Sequence, residues 1–174
     1  DTHFKKIHLN YGALLKMSNF DSTEQLLEAF NKSSIQRKIS RAAEYGVEII
    51  NESSNQMAFK LFYDMELKTR RKQGSLIYPQ NFFERLYHHL SPFNLLQLYI
   101  AYIDKKPSAG IIFLRDRNTA IYSYGASYGN PKHLAIGINQ AVMWEAIKHA
   151  FKSGITIIDF GTTPIHLKSL LEYK

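Results

Sequence analysis

The sequence contains no cysteine, and this absence removes two large classes of protein. A chain without thiols forms no disulfide framework and offers no thiolate ligands to zinc or to iron–sulfur clusters. The sequence also lacks any apolar run of the roughly 18 residues that a membrane-spanning helix needs. Its N-terminus lacks the charged-then-apolar order of a secretion signal. We therefore expect a soluble, cytoplasmic protein that binds no metal.

Acidic residues are outnumbered by basic ones. The chain has 15 Asp and Glu against 22 Lys and Arg, which gives a formal net charge of +7. This surplus favours anionic partners such as phosphates, nucleic acid or an acidic membrane surface. The basic side chains collect in two clusters, Lys32, Arg37, Lys38 and Arg41, and then Lys68, Arg70, Arg71 and Lys72. Each cluster is compatible with a solvated helix face and with a surface that contacts phosphates or RNA.

The length of 174 residues and the hydrophobic content of 45% suit one domain with a sizeable core. The chain starts at Asp1 rather than Met and ends in the helix-like segment LLEYK, so we expect a fragment of a longer protein. Residues 1–34 are predicted to form an N-terminal strand and helix of the same domain, and residues 35–174 its main body.

Helical signals dominate the first half of the chain. Ser22 stands three residues before Gln25, which is a capping-box signature for a short helix. Further segments are predicted as a helix over residues 34–45, a strand over 47–50, a helix over 56–72 and a helix after Pro79. The last of these carries His88 and His89 side by side. Neighbours on a helix point about 100° apart, so this pair cannot chelate one metal ion.

Three strands in quick succession follow. LLQLYIAYI, SAGIIFL and TAIYSYGAS are separated by the turns DKKP and RDRN, and connections this short are typical of an antiparallel meander. The middle strand is apolar on both faces, so we expect it to be buried on both sides. A helix over residues 136–152 and a strand over 155–158 come next, and this order predicts a right-handed parallel βαβ unit. The predicted fold class is α/β, with a mixed sheet.

Asp159, Phe160 and Gly161 form the triplet with which protein kinases hold Mg²⁺. The other parts of the kinase signature, a glycine-rich loop, a strand lysine and a His-Arg-Asp loop, are missing from this chain. The topology offers a different role, because a crevice opens where parallel strands part, and a helix N-terminus beside it attracts anions. We predict a site there, with Asp159 at its rim. Asp159 either caps the next turn or contacts the substrate.

The loop YGASYGNPKHLAIG leads from the third strand into the next helix. Its glycines allow the backbone to approach a ligand, while Lys132 and His133 offer positive charge and a titratable nitrogen. The same residues also make an ordinary turn, and no Gly-Lys-Ser/Thr of a phosphate-binding Walker loop is present. Tyr122 and Tyr124 are predicted to share one strand face, where each donates a proton, lines a pocket or packs in the core.

Several segments in a fixed order resemble the GNAT-like acyltransferase domains of Fem-type peptidoglycan aminoacyltransferases and of related envelope and exopolysaccharide enzymes. The segments are QRKISRAAEYGVEI, FKLFYDMELKTRRK, AYIDKKPSAGIIFL, YSYGAS, NQAVMWEAIKHAFKSG, IIDFG and LKSLLEYK, and they span about residues 35–174. The last is similar to the family's Leu-x-x-Phe-Lys ending, with Tyr173 in place of Phe. The resemblance implies a GNAT fold whose acyl donor binds between two parted parallel strands, and transfer of an acyl or aminoacyl group to an amine.

The resemblance also implies roles for particular residues. Asp159 orients or deprotonates the attacking amine, and Tyr124 lines the reaction centre. Lys174, which matches the family's terminal Lys, contacts phosphate on the donor or acceptor together with Arg37 and Arg70. The binding residues expected in full are Arg37, Arg70, Tyr122, Tyr128, Lys132, His133, Asn139 and Lys174.

The acyl donor stays open between acyl-CoA and aminoacyl-tRNA. Ordinary GNAT acetyltransferases grip the pyrophosphate of coenzyme A with an Arg/Gln-x-x-Gly-x-Gly/Ala loop, and SYGNPKHLAIG has glycines at a different spacing. The leading interpretation is Fem-like transfer onto an amine of a cell-envelope or polysaccharide precursor, with tRNA and a membrane-bound substrate as further expected partners. The alternatives are a coenzyme A-dependent amino-sugar N-acetyltransferase and a non-catalytic GNAT-like domain that binds tRNA or a partner.

Overall fold

A computed structural model describes residues 10–164, in which the strands form one six-stranded sheet. The strands are β1 (Asn10–Lys16), β2 (Glu48–Asn51), β3 (Leu96–Ile103), β4 (Lys106–Asp116), β5 (Thr119–Ser127) and β6 (Ile157–Pro164). Their order across the sheet is β1-β6-β5-β4-β3-β2. Neighbouring strands are antiparallel except β5 and β6, which run parallel. The predicted mixed sheet, an antiparallel meander continued by a parallel βαβ unit, is therefore confirmed.

Helices cover both faces of this sheet. They are α1 (Thr23–Glu28), α2 (Arg37–Glu44), α3 (Gln56–Gln73), α4 (Gln80–Leu90), α5 (Pro131–Ala135) and α6 (Ile138–Lys152), with a π-helical turn over Lys32–Gln36. The predicted capping box holds, since the Ser22 hydroxyl accepts a hydrogen bond from the backbone N–H of Gln25. Across residues 10–164, none of these helices combines the length and the apolar character required to cross a bilayer.

The core lies in two layers, one on each side of β4. Ile111 and Phe113 point to the face that α6 covers, whereas Ile112 points to the face covered by α3 and α4. Residues 108–113 of β4 are all buried, which confirms the prediction that the middle meander strand is enclosed on both sides.

The meander turns are tighter than the sequence predicts. Two residues, Asp104 and Lys105, connect β3 to β4, and their φ angles are 50° and 60°. Left-handed conformations at both central positions match the twist of the flanking strands, which is why two-residue hairpins favour them. The β4–β5 turn also has two residues, and Arg117 has a φ of 48°. The predicted four-residue connections are therefore wrong, because the strands extend into them.

The last strand and its helix also differ from prediction. β6 spans Ile157–Pro164 rather than residues 155–158, because the edge strand β1 pairs with it along its whole length. Asp159 consequently lies inside the strand and not at its end. The helix predicted over residues 136–152 begins at Ile138, because Gly137, with a φ of 90°, separates it from the short preceding helix α5.

Gly137 also marks a close approach between two helices, and this predicts a loss of stability on substitution. A Cβ at Gly137 would come within 2.8 Å of the Lys38 carbonyl oxygen on α2. We expect Gly137→Ala to lower the free energy of unfolding by at least about 2 kcal/mol, from left-handed backbone strain plus overpacking. Urea denaturation measures this loss. Gly154→Ala is the matched control, since its φ is also positive, 77°, but its Cβ meets nothing within 4 Å. Equal losses in the two variants would contradict the close approach.

Candidate functional site

The parallel strands β5 and β6 pair over only three positions. Thr119 is opposite Ile157, Ala120 opposite Ile158 and Ile121 opposite Asp159, and the ladder stops there. Beyond this point β5 continues along β4 as far as Ser127, while β6 continues along β1. The two strands thus part at their carboxyl ends as the crossover topology predicts, and main-chain groups of β5 beyond Ile121 are free of β6.

A cavity of about 490 Å³ adjoins the unpaired end of β5, and we call it the cleft. One wall is the last two turns of α3, which contribute Lys68, Thr69, Lys72 and Gln73. The opposite wall includes Tyr122 on β5 and Asn139 in the first turn of α6. The cleft therefore has a cationic side, an aromatic hydroxyl and a helix N-terminus, a combination that suits an anionic ligand.

A β-bulge separates the two tyrosines that the sequence places on one face. Tyr122 is opposite Phe113, but Tyr124 is opposite Ile112, so Ser123 is the extra residue of β5. A bulge adds one residue to a strand and shifts the alternation of its side chains. The prediction that Tyr122 and Tyr124 share a face is therefore wrong.

The bulge sends each tyrosine to a different core layer. The Tyr122 ring contacts Phe113 and Phe160 on the α6 side, at centroid distances of 5.8 and 6.4 Å. The Tyr124 ring contacts Phe83 and Tyr78 on the α3–α4 side, at 5.3 and 6.0 Å. Of the two, Tyr122 lines the cleft.

The Tyr122 side chain lies along β5 with its hydroxyl above Gly125. A Cβ at Gly125 would lie 2.9 Å from the ring carbon that bears this hydroxyl, so glycine is required for the ring to take this position. The pKa of Tyr122 is raised to about 12, mainly by burial and also by the negative charge of Glu66, while the positive charge of Arg70 opposes the increase. The hydroxyl is therefore protonated at neutral pH and is a hydrogen-bond donor at the cleft wall.

Glu66 is a buried acid that the sequence analysis did not single out. Its side chain is fully buried on α3, and its Oε1 accepts a hydrogen bond of 2.6 Å from Nε of Arg70. Its Oε2 has no hydrogen-bond partner within residues 10–164. The signal for Glu66 was helical spacing, because it follows Phe62 by four residues on the face of α3 that meets the sheet.

The cationic wall of the cleft is fixed to β5 by a reciprocal hydrogen-bond pair. The Thr69 hydroxyl donates to the carbonyl oxygen of Ser127 and accepts from its backbone N–H, both at 3.1 Å. On the residue before Thr69, the Lys68 ammonium lies 4.5 Å from the centre of the Tyr128 ring, a cation–π contact. The sequence analysis marked this basic cluster but did not assign Lys68, Lys72 or Thr69 to the site.

The structure gathers only some of the predicted binding residues. Tyr122, Tyr128 and Asn139 line the cleft together. Arg70 is held by Glu66 close to the cleft wall, and its phosphate contact stays a prediction. The remaining predicted residues lie elsewhere: Arg37 in a separate hollow beside Lys32 and Ser40, His133 on α5 in a hydrogen bond with the buried Ser108 hydroxyl, and Lys132 exposed on α5. Lys174 lies outside the described residues.

Asp159 takes the structural role that the sequence analysis held open. Its Oδ1 accepts a hydrogen bond of 2.7 Å from the backbone N–H of Gly161. Its neighbours Ile158 and Phe160 both pack in the α6-side layer, so Asp159 points to the opposite face of the sheet from Tyr122. A direct contact with substrate stays a prediction. Within the part of the chain that the structure describes, no three His, Asp or Glu side chains are grouped as metal ligands.

Comparison with protein families gives one match. The family described as "Acetyltransferase (GNAT) domain" matches residues 29–174 of this sequence. No curated protein matches the sequence.

Several solved structures share the fold. FemX superposes with a TM-score of 0.77 at 16% identity, over 88% of this chain and 53% of the FemX chain. The C-terminal domain of a putative lysylphosphatidylglycerol synthetase from Agrobacterium fabrum gives 0.62 at 14% identity, over 94% of this chain and 52% of that one. An aminoglycoside acetyltransferase from an uncultured soil metagenomic sample, in complex with sisomicin, gives 0.57 at 12% identity, over 76% and 86%. The chain thus spans about half the length of the first two.

Proposed function

The chain belongs to the GNAT acetyltransferase family, and on that premise we propose that it is an acyltransferase that moves an acyl or aminoacyl group onto an amine of a cell-envelope or polysaccharide precursor. The parting of β5 from β6 beside a cationic cleft is the observation that supports this most. Free main-chain groups on a strand give an extended donor a partner for hydrogen bonding, and a cationic wall neutralises its phosphates.

The donor's anionic part is proposed to lie against Lys68 and Lys72, with its carbonyl at the unpaired part of β5. Phosphates of either candidate donor, acyl-CoA or aminoacyl-tRNA, carry the negative charge that this wall attracts. Asn139 in the first turn of α6 and the protonated Tyr122 hydroxyl are further polar groups of the cleft lining.

The chemistry proposed for the cleft is direct transfer. The amine nitrogen attacks the carbonyl carbon, and the resulting oxyanion is stabilised by backbone N–H groups of β5. The bond from that carbon to the thioester sulfur or ester oxygen then breaks, and the Tyr122 hydroxyl gives its proton to this leaving group. The amine loses its proton to water or, in the role predicted for it, to Asp159, and a proton from water restores the neutral Tyr122.

A coenzyme A-dependent N-acetyltransferase for an amino sugar is the second candidate. The observation in its favour is the match of residues 29–174 to the family described as "Acetyltransferase (GNAT) domain", because the acetyltransferases of that family take their acyl group from acyl-CoA. The two candidates differ in their donor, so donor binding separates them.

Calorimetric titration of the chain with acetyl-CoA and with aminoacyl-tRNA tests the proposed function. We expect one donor to bind, and Lys72→Glu to weaken its binding by about 10-fold or more, because each charge reversal at a phosphate contact removes an attraction and adds a repulsion. Lys60→Glu is the matched control, since Lys60 is exposed more than three turns earlier on α3 and does not line the cleft. Equal binding by the two variants would contradict the cleft assignment, and binding of neither donor would overturn the function.

A further inference from the structure

The loop over residues 74–79, between α3 and α4, presents apolar side chains to solvent, and we call it the 74–79 loop. Leu76 is 95% exposed, which is the largest value among the exposed large hydrophobic residues of the described chain. Ile77 and Tyr78 beside it are 37% and 47% exposed. A lone exposed Leu is unremarkable, but three consecutive large apolar residues at a loop tip form an apolar projection.

The surroundings of the 74–79 loop are basic and contain no nearby acid in sequence. Arg70, Arg71 and Lys72 form the last turn of α3, immediately before the loop. Residues 67–83 include no Asp or Glu. An apolar tip that directly follows a cationic helix end is the pattern of a peripheral membrane contact, since the apolar side chains enter the acyl-chain boundary while the cations meet anionic headgroups.

The 74–79 loop also adjoins the cleft. Lys72 and Gln73 line the cleft directly before the loop begins. At the loop's other end, the Tyr78 ring stacks on Phe82 at 4.6 Å and meets the Tyr124 ring edge-on at 6.0 Å. These ring contacts anchor the base of the loop against α4 and β5, so a molecule held at the tip would lie beside the cleft.

We propose that the 74–79 loop docks this chain on an anionic lipid surface, with Leu76 and Ile77 in the bilayer interface and Arg71 on the headgroups. An interface with another protein would place a larger, charge-depleted apolar area at its centre, whereas this tip is narrow and has cations directly before it, at the end of α3. Docking in this orientation brings the cleft to the membrane. The inference about the acceptor rests on the proposed function, because a cleft at the membrane makes the amine acceptor a membrane-anchored precursor rather than a free sugar.

Vesicle sedimentation tests the proposal without any turnover. The probe is phosphatidylcholine vesicles with and without phosphatidylglycerol. We expect the chain to bind the phosphatidylglycerol vesicles, more weakly as salt rises, and Leu76→Asp to weaken this binding by at least about 10-fold. Phe93→Asp is the matched control, because Phe93 is 73% exposed but lies outside the basic segment. Arg71→Glu is expected to lower binding at low salt and to matter less at high salt.

Three results would overturn the lipid surface. The first is no preference for phosphatidylglycerol vesicles, and the second is equal binding by the Leu76→Asp variant and the unmodified chain. The third is gel filtration that shows the unmodified chain as a dimer and the Leu76→Asp variant as a monomer, because the loop tip would then join two copies of the chain. Turnover of a water-soluble amine acceptor distinguishes failure of this proposal from failure of the proposed function. The Leu76→Asp variant is expected to turn over this acceptor as fast as the unmodified chain does. If the unmodified chain showed no turnover, that result would count against the proposed function but would not change the vesicle result.

Discussion

Replacing Tyr122 by Phe is expected to lower kcat for acyl transfer by about 100-fold or more, which is the usual scale for removal of a positioned proton donor. The ring contacts of Tyr122 with Phe113 and Phe160 persist in the variant, so its fold should be unchanged. Only the hydroxyl at the cleft wall is lost. Steady-state kinetics and the urea midpoint, measured together, separate a chemical loss from a structural one.

A substitution at Gly125, above which the Tyr122 hydroxyl lies, is also expected to lower kcat. Gly125→Ala places a methyl group where the Tyr122 hydroxyl lies, because a Cβ there would be 2.9 Å from the adjacent ring carbon. The displaced hydroxyl should cost a similar part of kcat although Tyr122 itself is intact. Tyr102→Phe is the control, since burial also raises the pKa of Tyr102 to about 12, and its hydroxyl bonds to Glu52 outside the cleft.

The pH dependence follows from the raised pKa of Tyr122. The protonated hydroxyl is the active form, so activity that depends on it is lost only as pH rises through about 12. The same pKa shift stabilises the folded state, because the folded chain holds the Tyr122 proton more tightly than the unfolded chain, in which the pKa of this hydroxyl is 10.0. That contribution is fully present below about pH 10 and disappears toward pH 12. If Tyr124→Phe carried the kinetic loss and Tyr122→Phe did not, the role implied by the Fem-type resemblance would stand instead.

Local patterns in the sequence predicted the framework of the fold well. The capping box at Ser22 and the parallel direction of β5 and β6 are both confirmed. Each depends only on a few neighbouring residues or on the handedness of a crossover connection. Such features can be inferred without knowing which distant segments pair in the sheet. For this reason the position of the cleft could also be foreseen, as the place where the parallel pair opens.

Features that depend on partners across the sheet could not be read from local patterns. The spacing of Tyr122 and Tyr124 fits a regular strand, and only the pairing with β4 shows that Ser123 is an inserted bulge residue. Asp159 was placed at a strand end because its partner β1 lies more than a hundred residues earlier in the chain. Glu66 has the helical spacing of a core position after Phe62, but its charge favours an exposed position, and the docking of α3 on β5 decides that it is buried.

The buried ion pair of Glu66 and Arg70 gives the second large prediction. Replacing Arg70 by Met is expected to lower the free energy of unfolding by about 3–5 kcal/mol, because a fully buried carboxylate is left without its counter-charge. The side chains are 0% and 28% exposed, and the N–O distance is 2.6 Å. The double variant Glu66→Leu, Arg70→Met should recover most of this loss, since no buried charge remains in it. Urea denaturation of the two variants and of the unmodified chain gives the three values.

A second ion pair with the same N–O distance is the control for this prediction, because the two pairs differ in how exposed their side chains are and not in length. Lys148 and Glu145 on α6 are also 2.6 Å apart, but their side chains are 30% and 39% exposed. Lys148→Met should therefore cost less than about 1 kcal/mol, because water solvates the carboxylate that is left behind. If the Arg70 and Lys148 variants lost equal stability, or if the double variant were no more stable than Arg70→Met, the Glu66 carboxylate would not be bearing a desolvation cost. The unpartnered Oε2 of Glu66 would then have to be satisfied by a group that the folded chain supplies in solution, such as water reaching it from the cleft.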